Sequence, residues 1–144
     1  MTPLYNRGFH KMNEYEEMEM LNKLLDKDFS IFIRTKLGVK NILSIVKKNG
    51  LMILRSTDGM QIIEAPKTFQ KREFVIKPRH PEPNPLTSAK EIYEYLKGRK
   101  EIIYRSEKVI ELRLEQNKLI LKTENGHELI LSPSDMFEYP IYAW

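Results

Sequence analysis

The sequence predicts an α+β fold made of two pseudo-repeats, each a helix followed by an antiparallel β-meander, packed as one domain. The first observation behind this is a self-match. Residues 42–66 lie without a gap on residues 109–133, and five positions are identical: Ile53 with Ile120, Leu54 with Leu121, Gly59 with Gly126, Ile63 with Ile130, and Pro66 with Pro133. Others are conservative, among them Arg55 with Lys122, Ser56 with Thr123, Asp58 with Asn125 and Gln61 with Glu128. A match at fixed offset is what a duplicated structural unit leaves behind. The second observation is the alternation of apolar and polar residues through both segments, broken by glycine turns, which is the strand pattern. The third is a pair of helical stripes, Met18, Leu21, Leu25 and Ala89, Ile92, Leu96, which fall in register with each other. The offset that aligns them also places Ile33, Arg34 and Thr35 on Tyr104, Arg105 and Ser106.

The first helix is expected over about 14–27. Asn13 can cap it with Glu16 three residues on, acids crowd the first turn, and Lys23 and Lys27 sit in the last. Tyr15, Met18, Leu21, Leu24 and Leu25 form its apolar stripe, with the methionines as core filling. Strands follow near 30–36, 41–47, 51–56 and 60–65, with 69–77 as a fifth. Asn49-Gly50 marks a tight turn, and Thr57-Asp58-Gly59 suits a three-residue hairpin whose chemistry Glu124-Asn125-Gly126 repeats. That loop length sets Ile53 opposite Ile63 and Ile120 opposite Ile130. Ile110, Leu112, Leu114, Leu119, Leu121, Leu129 and Leu131 then share the buried face, and the isoleucine pairs point the other way, towards each other or a partner.

Residues 77–87 hold Pro78, Pro81, Pro83 and Pro85 and read as an extended strap between repeat 1 (about 12–77) and repeat 2 (about 87–144). Pro78 and Pro81 also match a minimal PxxP ligand, a pattern of low specificity. The second helix is expected from a Ser88/Glu91 capping box stapled by Leu86, with Ala89, Ile92, Tyr93 and Leu96 buried and Gly98 ending it. Strands are expected near 101–106, 108–115, 118–123 and 127–132. The tail after them carries Phe137, Tyr139, Ile141, Tyr142 and Trp144, too apolar to float free, and should dock on the body or on a partner. Each half has about 70 residues, too few for an independent core, so one globular domain over 1–144 is expected.

Composition narrows the function classes. Zero cysteines exclude disulfides, thiolate catalysis and cysteine-based metal sites. No stretch approaches the roughly 20 apolar residues of a membrane span, and the acidic start has no signal-peptide core, so a soluble, cytoplasmic protein without membrane contact is expected. The net charge of +4 is unevenly placed: residues 30–108 carry 17 bases and eight acids, whereas 1–29 and 109–144 are both net acidic. A basic middle of this kind fits a polyanion partner.

Catalytic chemistry finds little support. His10, His80 and His127 show no metal-site spacing and no adjacent nucleophile; His127 reads as a half-buried strand residue and His80 as a solvated imidazole in the strap. Asp58, Glu64 and Lys67 resemble a metal-nuclease set only loosely, since Asp58 is explained by its turn. The six glycines are scattered, so no phosphate loop is present, and no cofactor is expected.

The sharper candidate is a basic run with aromatics set into it: Lys67, Phe69, Lys71, Arg72, Phe74, Lys77 and Arg79, extended over the first sheet by Arg34, Lys36, Lys40, Lys47, Lys48 and Arg55. Cations tracking phosphates, with rings offering stacking faces, are what a single-strand binder needs. The competing reading buries Phe69 and Phe74 as core of an edge strand whose lysines deter aggregation. The inferred order of four strands, a helix and four more strands resembles that of the Whirly and PUR-repeat single-strand binders, a likeness of topology without a shared motif. Two function classes follow. One is a small non-enzymatic nucleic-acid-binding protein. The other is a protein-interaction module or homo-oligomer, such as a viral inhibitor, adaptor or assembly factor, using Ile53, Ile63, Ile120, Ile130, Phe137, Tyr139, Tyr142 and Trp144. A metal-independent ribonuclease using His80 stands third.

Overall fold

Ten antiparallel strands form one open sheet in the order β4-β3-β2-β1-β5-β10-β6-β7-β8-β9, in a computed structural model that describes residues 12–79 and 85–144. The first half supplies α1 (Glu14–Asp26), β1 (Phe29–Thr35), β2 (Gly38–Lys48), β3 (Leu51–Ser56), β4 (Gln61–Glu64), α2 (Pro66–Gln70) and β5 (Phe74–Pro78). The second supplies α3 (Pro85–Leu96), β6 (Ile102–Tyr104), β7 (Glu107–Glu115), β8 (Lys118–Thr123), β9 (Glu128–Leu131), α4 (Pro133–Glu138) and β10 (Ile141–Ala143). The fold is thus mixed α+β with a single open antiparallel sheet.

Local chemistry explains most boundaries. Asn13 and Glu16 close a reciprocal capping box at the start of α1. Its apolar stripe buries Leu21, Leu24 and Leu25, each worth roughly 1.5–3 kcal/mol of apolar transfer. Asn49 and Gly50 take positive φ of 53° and 76°, as the two-residue β2–β3 turn demands. Gly59 and Gly126 both sit at φ 87°, and the hairpins they close pair Ile53 with Ile63 and Ile120 with Ile130, as the sequence predicts.

Helices cover one face of the sheet. α1 packs on β1 and β2, α3 on β7 and β8, and the two helices touch each other. Between them and the sheet lies one core, including Phe29, Ile31, Ile33, Phe69, Phe74, Ile76, Tyr95, Ile102, Leu121 and Ile141. Glu17 and Arg99 form an ion pair inside it, each side chain 3% exposed. The Arg99 guanidinium lies 5.2 Å from the Tyr95 ring centroid and 5.7 Å from that of Phe74.

Several expectations need correction. The stretch 69–77 is not one strand: Pro66 starts a short helix, and β5 begins only at Phe74. A second short helix, α4, also starts at a proline, with Ser132 and Asp135 in a capping box; proline at the first helical position is the cue in both. α3 begins at Pro85, which places Ser88 inside the helix and not at its cap. A β-bulge lies between Val109 and Glu111, mirrored between Ile42 and Ser44. The extra residue resets the alternation, so Val109 and Leu112 are core residues while Leu43, inside the first bulge, is 62% exposed. The tail docks on the body as the inner strand β10, between β5 and β6. The middle of the strap, residues 80–84 with His80, and His10 lie outside the described residues, and the strap's two ends belong to β5 and α3.

Candidate functional site

The helix-free face of the sheet is where exposed chemistry collects. Strand pairing places Phe32, Val75, Tyr142 and Ile103 side by side across the four central strands β1, β5, β10 and β6. All four are half-buried, in contrast to Ile31, Ile76, Ile141 and Ile102 on the helix-covered side. Alternation is the cause: adjacent strand residues face opposite sides, so Ile141 and Ala143 are buried while Tyr142 faces away from the helices.

Two grooves adjoin this row and share one wall, Glu73. The first, about 360 Å³, is basic, lined by Arg34, Thr68, Lys71, Arg72 and Glu73. Arg72 is committed to Glu64, its Nε donating at 3.0 Å, and Nη1 donates to the Arg34 carbonyl at 3.3 Å. Arg34 and Lys71 have no ion-pair partner among the described residues. The second groove, about 390 Å³, is aromatic: Tyr139, Tyr142 and Trp144 line it with Ile103, Pro140, Arg105 and Ser106. Arg105 and Ser106 form the tight β6–β7 turn with φ of 52° and 66°, a left-handed conformation that costs non-glycine residues roughly 1–2 kcal/mol each. The Arg105 guanidinium is 4.3 Å from the Tyr139 ring centroid. Trp144 exchanges both backbone hydrogen bonds with Glu101, which seats it beside the end of β6. Glu73, one residue before β5, has no hydrogen bond or ion pair among the described residues.

The predicted cations divide. Arg34, Lys48, Arg55 and Lys77 share the helix-free face, from the registers that align them with Val39, Leu51, Gln61 and Ser30. None of the four has an ion-pair partner among the described residues, although the Lys77 ammonium sits 4.5 Å from the Phe137 ring centroid. Lys36 is exposed in the β1–β2 turn and Lys67 on α2. Lys47 and Lys40 belong elsewhere, bound to Glu14 at 3.1 Å and Asp58 at 2.7 Å. Arg79 donates to the Leu25 carbonyl and faces Asp28 at 3.7 Å. Phe69 and Phe74 are fully buried and meet edge to face with centroids 5.7 Å apart, so neither can stack on a ligand.

The predicted interface residues also divide. Ile63 and Ile130 are 58% and 59% exposed, but Ile120 is only 7% exposed and Ile53 is half-buried. β3 and β8 stand seven places apart in the sheet, about 34 Å at the usual strand spacing, so the two pairs do not meet within the sheet. Phe137 and Trp144 are half-buried and Tyr139 is exposed.

Asp58 and Glu64 do not converge. The Asp58 carboxyl is drawn down to about 2 by Lys40, Ser56 and the Met60 N–H, and Glu64 binds Arg72. No group of three metal-ligating side chains occurs among the described residues. His127 is exposed and not half-buried; its Nδ1 lies 3.0 Å from Glu107, whose pKa is lowered by Thr123 and by His127. No helix among the described residues is long and apolar enough to cross a membrane.

Sequence reading passed over Phe32, Glu73, Ile103 and Arg105. The pairing of β5 with β10 creates their neighbourhood, and only the Arg34/Arg105 correspondence hinted at it.

No protein-family model matches the chain, and no solved structure matches it. A curated protein does: "Uncharacterized protein 3" of Sulfolobus islandicus filamentous virus (isolate Iceland/Hveragerdi), 54% identical over 137 residues, covering 95% of this chain and 99% of the viral one. At that identity and near-complete mutual coverage, the chain belongs to the same protein family as this filamentous-virus protein.

Proposed function

We propose that this is a small non-enzymatic nucleic-acid-binding protein that holds a single strand against the helix-free face of its sheet. One observation carries the reading: half-exposed rings, Phe32, Tyr142 and Trp144, stand on the same side of the sheet as the unpaired cations Arg34, Lys48, Arg55 and Lys77. Cations bind phosphate by releasing counterions, and exposed rings stack on unpaired bases whatever their sequence. This relocates the stacking rings from Phe69 and Phe74 to the seam between the halves and keeps the phosphate contacts on the first half.

The test is an electrophoretic shift with single- and double-stranded DNA and RNA across a salt series. Four phosphate contacts predict a slope of log K against log salt of about −3 for a single strand. Replacing Arg34, Lys48, Arg55 and Lys77 together by alanine should flatten it towards zero. No shift at low salt refutes the proposal.

The two-repeat origin belongs to the same reading. Equivalent bulges, the paired glycine turns at φ 87° and a sheet order that reads alike from either end support an ancestral helix-and-meander unit copied once. On that account the two grooves are counterparts: Arg34 corresponds to Arg105 and Arg72 to Tyr139, so one copy kept a basic groove where the other has an aromatic one.

A protein-interaction module is the second reading, favoured by the exposure of Ile63, Ile130, Leu37, Val39 and Leu43. Concentration-dependent association that is lost in Ile63→Lys or Ile130→Lys, in a protein that shifts no nucleic acid, would select it.

A further inference from the structure

We propose that the aromatic groove receives one unpaired guanine, and that Glu73 reads its Watson–Crick edge. The inference rests on the nucleic-acid reading and adds a base preference to it. Its volume, about 390 Å³, falls within the roughly 300–1,000 Å³ of small-ligand pockets. Its walls suit a flat ring: Tyr142 and Trp144 rise from the same strand end, Ile103 adds apolar contact, and the guanidinium of Arg105 is already stacked on Tyr139. Bases splayed from a single strand are bound by such aromatic and guanidinium planes, and are told apart by hydrogen bonds to their edges.

Glu73 supplies the edge reader. The residue lines the groove, is half-buried, and its side chain has no hydrogen bond or ion pair among the described residues. An ionised carboxylate only accepts hydrogen bonds, and its two oxygens take two parallel donors. Among the common bases guanine alone presents two adjacent donors on that edge, the ring N1–H and the exocyclic amino group. Adenine, cytosine, uracil and thymine offer one donor there, beside acceptors that a carboxylate repels. On the other side of Glu73 lie Arg34 and Lys71, unpaired and within the adjoining basic groove, where the flanking phosphate would sit.

Trp144 is the single tryptophan of the chain, so its fluorescence reports occupancy of this groove. The full-length protein is titrated with thymidine decamers carrying one central guanine, adenine or inosine. Inosine lacks the amino group and so removes one of the two hydrogen bonds. The guanine oligonucleotide should reach its midpoint at a concentration on the order of tenfold lower than the others, the discrimination a bidentate contact provides. Glu73→Gln, a change at a side chain with no partner among the described residues to lose, should raise the guanine midpoint to that of the other two and leave the adenine midpoint where it was.

Equal midpoints for all three in the unmodified protein would overturn the guanine assignment. A shift with no change in Trp144 emission would overturn the groove as the base site and leave the nucleic-acid reading standing. Absence of any shift at low salt would overturn both.

Discussion

The Glu17–Arg99 pair ties the halves together, and removing one member alone should be among the most damaging changes available. Glu17 lies on α1 and Arg99 just beyond α3, and each side chain is 3% exposed. Arg99 also packs against the rings of Tyr95 and Phe74, and its Nη2 reaches the Arg72 carbonyl at 3.4 Å. Burial works against its charge, yet Tyr95 and Glu17 outweigh that effect and raise its pKa. Taking two charges out of water is expensive, and their attraction offsets this only while both are present. Arg99→Met therefore leaves a buried carboxylate, and Glu17→Leu a buried guanidinium. Each single change should cost about 3–5 kcal/mol, whereas the double Glu17→Leu/Arg99→Met variant should cost less than either, because hydrophobic replacement of a whole buried pair is often neutral. Denaturant unfolding followed by Trp144 fluorescence gives the four free energies of the cycle. Additive single effects, or singles below about 1 kcal/mol, would refute the claim that the pair is coupled and desolvated.

Three further outcomes are expected. The folded-state pKa of Asp58 is depressed from 3.8 to about 2, so its contribution to stability is complete above about pH 4 and is lost as pH falls towards 2; Asp58→Asn should flatten the stability profile in that window, measured by denaturation between pH 2 and 5. Ile63→Thr should stay within about 0.5 kcal/mol of the parent because the side chain is mostly in water, whereas Ile120→Ala, at its 7% exposed position, should cost roughly 2 kcal/mol or more by the same measurement. Truncation before Ile141 should abolish cooperative unfolding, since it removes the strand that joins β5 to β6; a truncated chain that still melts sharply by circular dichroism would contradict the sheet order.

What the sequence made legible was local. Alternation, Asn-Gly and Asp-Gly turns and an Asn13/Glu16 cap act over a few residues, and through them β1 to β4, β6 to β9, α1 and the Ile53–Ile63 and Ile120–Ile130 registers could be read. The short helices were missed because five or six residues carry too little periodicity, although Pro66 and Pro133 marked both starts. Val109 was missed as a core residue because a bulge resets alternation without a fixed sequence signature, while Ile110, inside the bulge, is buried as expected. Phe69 and Phe74 were set among the binding cations because charge clusters are visible in sequence, and the direction a ring points is not. The site was the least legible part, for β5 and β10 are 63 residues apart from Pro78 to Ile141 and nothing local announces that they pair.

That pairing makes the fold and the groove a single structural event. Ile141 and Ala143 point into the core with no exposed surface, while Tyr142 and Trp144, alternating with them, form the groove on the opposite face. β10 binds its neighbours through few residues, three paired with β5 and two with β6, so its stability must come from the burial of those core-facing side chains more than from its hydrogen bonds. Loop closure over so long a separation is entropically unfavourable until the two halves have their own sheets and helices to offer. The groove therefore exists only once both halves have met, and its rings stand on a strand held by three pairs on one side and two on the other.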